Sequence, residues 1–203
     1  MISTIGYNQH DMIKDIISLY CPDGIDCDLT YSKGNFYKNG IRAPHYKFDI
    51  SPQSEDVMQG DSRNIALDDC SIKTIMFDPP FVGASRKDGK PGIIKARFGY
   101  FKNIPELWDY YNQSIKECYR VLAPGGVLVF KCQDSVESHK QWITHVEVMN
   151  QAVRAGFYPK DLFVLLAKSR LISPNMKNQK HARKYHCYFW VFKKEDCKVN
   201  YTI

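Results

Sequence analysis

A chain of 203 residues, 44% hydrophobic and 25% charged, is long enough to bury one substantial core and has an ordinary globular balance, which excludes fibrous and disordered classes. No segment reaches the roughly 20 apolar residues of a membrane span, and MISTIGYNQHDMIKD has no signal-peptide core, so a single cytoplasmic domain over residues 1–203 is expected. The net charge is +6, and seven cysteines without a Cys-x-x-Cys pair argue against a disulfide framework and a zinc site, so no metal is expected.

The first predicted element is a helix over residues 9–20, where Met12, Ile13, Ile16, Ile17 and Leu19 form one apolar stripe that Cys21-Pro22 stops. Residues 25–30 (IDCDLT) read as a short strand leading into Tyr31-Ser32-Lys33-Gly34. Strands follow at residues 46–50, more weakly near Val57-Met58, and at residues 72–77, whose near-continuous apolar run suits a strand covered on both faces. Residues 82–103 then carry Arg86, Lys87, Lys90, Lys95, Arg97 and Lys102 against Asp88 alone, with Phe98, Tyr100 and Phe101 interleaved.

Leu107, Tyr111, Ile115, Cys118 and Leu122 step by three or four, which predicts an amphipathic helix over residues 105–122 with Pro105 in its first turn. Ala123-Pro124-Gly125-Gly126 should end it, and residues 127–130 form a buried strand. Trp142, Val146, Met149 and Val153 mark a further helix closed by Gly156. Residues 162–167 and 188–192 are β runs with only the basic segment 168–186 between them, so they are expected to pair antiparallel. Strands alternating with helices predict an α/β fold, a mostly parallel sheet with helices on both faces.

The two basic segments hold more positive charge than the whole chain shows as net, so the remainder is acidic. Exposed loops are often charged and solvated, but two such segments in one small domain favour a polyanion partner.

Ligands of such sheets sit beyond the carboxyl ends of the strands. Asp28, Asp49 and Asp78 fall at predicted strand ends, and Asp61 follows the weak third strand. Asp78-Pro79-Pro80-Phe81 is the most specific stretch among them. An amine conjugated into a nucleobase is a poor nucleophile, and two acceptors at fixed angles would draw it towards tetrahedral geometry and stabilise the charge that develops on methylation. The Asp78 carboxylate supplies one acceptor and the Pro79 carbonyl can supply the other, because Pro80 keeps its predecessor extended. Phe81 can stack on a base swung out of its helix. A plainer reading is a proline-kinked turn with Phe81 in the core; the neighbouring acids and the basic, aromatic loop that follows favour the holder.

This tetrapeptide resembles the Asp/Asn/Ser-Pro-Pro-Tyr/Phe/Trp hallmark of the amino-group methyltransferases that use S-adenosylmethionine. The resemblance implies a Rossmann-like class I methyltransferase fold and S-adenosylmethionine as cofactor. It makes residues 28–34 (DLTYSKG) the first cofactor loop, with Asp28, Thr30 and Gly34 as contacts. Asp49 would hold the ribose hydroxyls, Asp61 would lie by the adenine, and residues 121–131 (VLAPGGVLVFK) would lead into the fifth strand. The first loop departs from the family's Phe-x-Gly-x-Gly by keeping a single glycine, so either the loop is shifted along the chain or the methionine end of the donor is held differently.

The resemblance further implies methyl transfer to an exocyclic amine, foremost adenine in DNA, since the cytosine enzymes more often begin the motif with Ser. An RNA base as target and a catalytically silent nucleic-acid-binding subunit are the alternatives. Arg86, Lys87, Lys95 and Arg97 would belong to a lid over the flipped base, and Lys177, Lys180, Arg183 and Lys184 would contact phosphates. With no separate target-recognition domain, recognition should be short, loose or supplied by a specificity partner or a second copy of the chain.

Overall fold

A computed structural model of the protein describes residues 1–81, 101–137, 139–168 and 181–199. Its elements in chain order are β1 (Ile5–Gly6), α1 (Gln9–Tyr20), β2 (Cys27–Asp28), β3 (Tyr46–Asp49), β4 (Met58–Gln59) and β5 (Ile72–Phe77). They continue with α2 (Ile104–Val121), β6 (Leu122–Cys132), β7 (Ser135–Glu137), β8 (Lys140–Trp142), α3 (Thr144–Arg154), β9 (Tyr158–Leu166) and β10 (His186–Lys193). Eight strands form one sheet in the order β1-β9-β10-β6-β5-β2-β3-β4, and β10 alone runs against its neighbours. This is the Rossmann-like methyltransferase architecture expected from the sequence.

The two-residue period of the strands assigns each side chain to one helical layer. Ile75, Phe77, Leu128 and Phe130 face α2 and α3, meeting Leu107, Tyr111, Ile115 and Cys118. Met76, Val127, Val129, Phe189 and Val191 face α1 and meet Met12, Ile13 and Ile16. Asn8 caps α1, its side chain accepting from the amides of His10 and Asp11. Leu19, expected on the buried stripe, is exposed at the end of that helix.

Several boundaries differ from the sequence reading. The strand expected over residues 25–30 is pared to Cys27–Asp28 because the Asp28 carboxylate captures the Thr30 amide at 2.8 Å and turns the chain. Ala123-Pro124-Gly125-Gly126 lies inside β6 instead of forming a loop. Backbone bonds between Gly125, Gly126 and Lys194 hold it there, and the extra residues are absorbed by a register shift against β5. Trp142 belongs to the β7–β8 hairpin, and α3 begins after it at Thr144. No helix among the described residues is long and apolar enough to cross a membrane.

Candidate active site

The parallel strands β2, β3, β4, β5 and β6 all end at one edge of the sheet. Asp28 and Asp49 are the last residues of β2 and β3, Asp61 lies just beyond β4, and Asp78 directly follows β5. The four acids named from the sequence therefore share an edge, but their carboxylates are used in different ways.

Asp28 is 2% exposed and builds the first loop around itself. Its Oδ1 accepts from the Thr30 amide at 2.8 Å and the Thr30 hydroxyl at 3.3 Å, and its Oδ2 accepts from the Tyr37 hydroxyl at 2.8 Å. Burial pushes its pKa up to about 7, with the Asp78 charge adding to the rise and these hydrogen bonds opposing it. The Thr30 hydroxyl oxygen also accepts from the Asp78 amide at 2.8 Å, so one threonine ties the first loop to the Asp-Pro-Pro-Phe segment.

Asp49 is likewise buried, its two oxygens accepting from the Ser32 and Ser51 amides at 2.9 and 2.8 Å. Ser32 takes φ 56° and Gly34 φ 64°, so both residues of the first loop adopt left-handed backbone, one of them without being glycine. A side chain at Gly34 would put Cβ 2.6 Å from the Tyr31 hydroxyl, whose ring stacks on Tyr37 with centroids 5.4 Å apart. Asp61 is paired with Arg63 at 2.6 Å within its own turn, and the Arg63 hydrogen bonds hold its carboxyl below the usual range.

At Asp78 the two carboxylate oxygens are unlike. Oδ2 lies 3.3 Å from the Lys131 ammonium, whereas Oδ1 is shut from solvent and has no partner among the described residues. Burial raises the Asp78 pKa and Lys131 pulls it back, leaving it above the usual carboxylate value. Pro79 is buried, and it is the Pro80 carbonyl that accepts a hydrogen bond, from the Tyr111 hydroxyl. Phe81 is half-buried, its ring 5.5 Å from the Lys131 Nζ. Lys131, Tyr37 and Tyr111 were not named as site residues from the sequence. The signal for Lys131 was a lone cation closing an otherwise apolar strand, VLVFKC.

A small cavity of about 20 Å³ lies between Thr30, Asp49, Gly60, Ser62, Pro80 and Tyr110. At Gly60 a Cβ would stand 2.9 Å from the Phe48 ring, so the chain there tolerates only glycine. These features fit a donor carrying hydroxyl groups and a cation. Acids line the strand ends, a loop with two left-handed residues follows the first of them, and a buried acceptor without a partner among the described residues stands at Asp78. Wider recesses of about 290 and 680 Å³ open at the opposite edge around Pro22, Asp23, Asp26 and Lys73. Among the described residues no group of three or more His, Cys, Asp and Glu could hold a metal ion.

Arg86, Lys87, Lys95, Arg97, Lys177 and Lys180 lie outside the described residues. Arg183 and Lys184 are half-exposed and lead into β10, whose first residues pair beside the carboxyl end of β6. That end also holds a cluster the sequence did not announce. Asp134 accepts from the amide and ring Nδ1 of His145 at 3.1 and 2.8 Å, and His145 stacks on Tyr188 at 4.2 Å. Burial alone would raise the Asp134 pKa, but the His145 hydrogen bonds outweigh it and hold the carboxyl low.

Residues 72–202 match the family model described as DNA methylase, of the N6/N4 type. Comparison with curated proteins found no significant match. Among solved structures, a protein of Galdieria sulphuraria described as a candidate sarcosine dimethylglycine methyltransferase is similar at 15% identity, over 92% of this chain and 85% of that one, with a TM-score of 0.56. An S-adenosylmethionine-dependent methyltransferase of Methanosarcina mazei is similar at 11% identity, over 89% and 97%, with a TM-score of 0.55. A candidate DNA modification methylase of Thermus thermophilus, complexed with S-adenosyl-L-methionine, is 19% identical over 70% of this chain at a TM-score of 0.48. The chain spans little more than half of that protein's length, 56%.

Proposed function

The chain belongs to the DNA methylase family of the N6/N4 type, whose cofactor is S-adenosylmethionine, and we propose that it methylates the exocyclic amine of adenine in DNA. One observation carries the reading: Asp78 Oδ1, a closed-off acceptor without a partner among the described residues, sits at the head of Asp-Pro-Pro-Phe where a buried parallel strand ends. An acceptor so placed lacks only a donor, and the N–H of an amine supplies one. That Asp opens the motif supports adenine as the target base.

S-adenosylmethionine supplies a methyl group bound to a sulfonium sulfur. Residues 28–34 with Asp49 and Asp61 would hold it. Asp78 Oδ1 takes one N–H of the target amine and the Pro79 carbonyl takes the other, which directs the nitrogen lone pair towards the methyl. Phe81 turns its ring to the extruded base. The proton that the methylated nitrogen must shed, once the bonding electrons of the methyl are left on sulfur, would pass to Asp78 Oδ1, the acceptor proposed to hold its N–H. The basic segment at residues 168–186 is assigned the phosphate contacts, through Arg183 and Lys184 among others.

Transfer of labelled methyl to DNA and RNA, followed by nucleoside analysis, tests this. N6-methyladenine in DNA is the expected product, lost by a factor of about 100 or more in Asp78→Ala while donor binding persists. N4-methylcytosine or a methylated RNA base would refute the target, and near-normal turnover by Asp78→Ala would refute the site.

A further inference from the structure

We infer that Lys131 is a positioning residue for the transfer: from the end of β6 it clamps one oxygen of Asp78, so that the other faces the target amine, while Gln9 at the head of α1 steadies the clamp. This rests on the reading that Asp78 receives the amine.

Lys131 occupies a sheet face where its neighbours along the strand, Val127 and Val129, pack in the α1-side core. An ammonium there is 8% exposed, a costly placement unless the charge is paired. Its partners come from three directions. Gln9 Oε1 accepts from Nζ at 3.0 Å and Asp78 Oδ2 lies at 3.3 Å. The rings of Phe36, Phe81 and Phe189 stand 5.0, 5.5 and 5.5 Å away, a distance at which each aromatic face attracts a cation. Phe36 comes from the stretch after the first loop and Phe189 from β10, so the ammonium is fixed from both sides of the site.

A carboxylate held at one oxygen can still aim the other. That is the state of Asp78, with Oδ2 facing Lys131 and Oδ1 without a partner among the described residues. Were Asp78 to take up a proton, it could become a donor and would repel an N–H. The ammonium opposes this by favouring the anion. The other titratable groups facing Asp78 are Asp28 on β2, Tyr111 on α2 and the Cys132 thiol on β6. Of these, Asp28 is a second acid whose own pKa the Asp78 charge raises, and among the described residues Lys131 is the cation that partly offsets burial at Asp78.

The test is a site-resolved carbon NMR titration of the Asp78 carboxyl in the full chain, comparing wild type with Lys131→Met. Methionine fills the apolar slot without a charge, and Lys131→Gln serves as a second uncharged variant. The expected result is a gain in Asp78 proton affinity of about tenfold or more in both variants. An unchanged Asp78 midpoint in both lysine variants overturns the clamp. Labelled-methyl transfer by the same samples separates this from the wider reading: the variants should keep donor affinity, and as the pH is lowered their transfer should fall away at a higher pH than that of wild type. A wild type that titrates as expected but transfers no methyl would overturn the proposed function and leave the clamp established.

Discussion

Replacing Asp28 with asparagine removes a charge from the interior while keeping the shape that holds the first loop. The carboxylate is 2% exposed, and burial lifts its pKa from 3.8 to about 7. By linkage, that difference means the ionised form weakens the native state by roughly 4 kcal/mol once the pH is above about 7. The folded-state pKa lies above the unfolded one, so between pH 4 and 7 the native chain keeps a proton that the unfolded chain has released. The contribution of Asp28 to stability is therefore complete below about pH 4 and is lost as the pH rises through about 7. Asparagine stays neutral throughout, its carbonyl accepting from Thr30 and its NH2 donating to the Tyr37 oxygen. Urea unfolding of wild type and Asp28→Asn from pH 4 to 8.5 should show near-equal stability at the acid end and a variant advantage of roughly 2–4 kcal/mol at the alkaline end. Carboxyls held low by partners, such as Asp61, Glu117 and Asp134, shift stability in the opposite direction but equally in both chains, so the difference reports position 28 together with its charge coupling to Asp78. A difference that does not change across the window would refute the reasoning.

Ser32→Gly should stabilise the chain by about 1 kcal/mol, because φ 56° is strained for serine and free for glycine. Gly34→Ala should weaken donor binding, since its Cβ would press on the Tyr31 hydroxyl; calorimetry with S-adenosylmethionine reads the effect. Tyr111→Phe removes the hydroxyl that holds the Pro80 carbonyl and should cost about 1 kcal/mol of stability in thermal unfolding. It should also slow transfer without changing donor affinity. Neutralising Lys177, Lys180, Arg183 and Lys184 should lower DNA affinity uniformly across sequences and flatten its salt dependence by roughly 0.9 per lost phosphate contact. An unchanged slope would remove them from the interface.

Much of the fold was legible in the sequence because each element follows a local rule. Ile72–Phe77 was readable from its apolar run alone, and the stripe of Leu107, Tyr111, Ile115 and Cys118 gave α2 to within a residue of its ends. The acids at the strand ends and Asp78-Pro79-Pro80-Phe81 needed only the order of the strands. Where local rules misled, a distant partner had intervened: Ala123-Pro124-Gly125-Gly126 reads as a breaker, yet Lys194 holds it in β6. The site followed the same division. Nothing within a few residues of Lys131 tells of Gln9 or Asp78, which stand 122 and 53 positions away in the chain. Nor does Ser32 by itself tell that Asp49 holds its amide in a left-handed turn.

Periodicity and motifs are set by each residue's neighbours along the backbone, so the sequence determined the layers and the place of the Asp78-Pro79-Pro80-Phe81 motif at a strand end. The pairing of Asp78 with Lys131, and the burial that raises Asp28, depend on the register between strands remote in sequence, which only packing fixes.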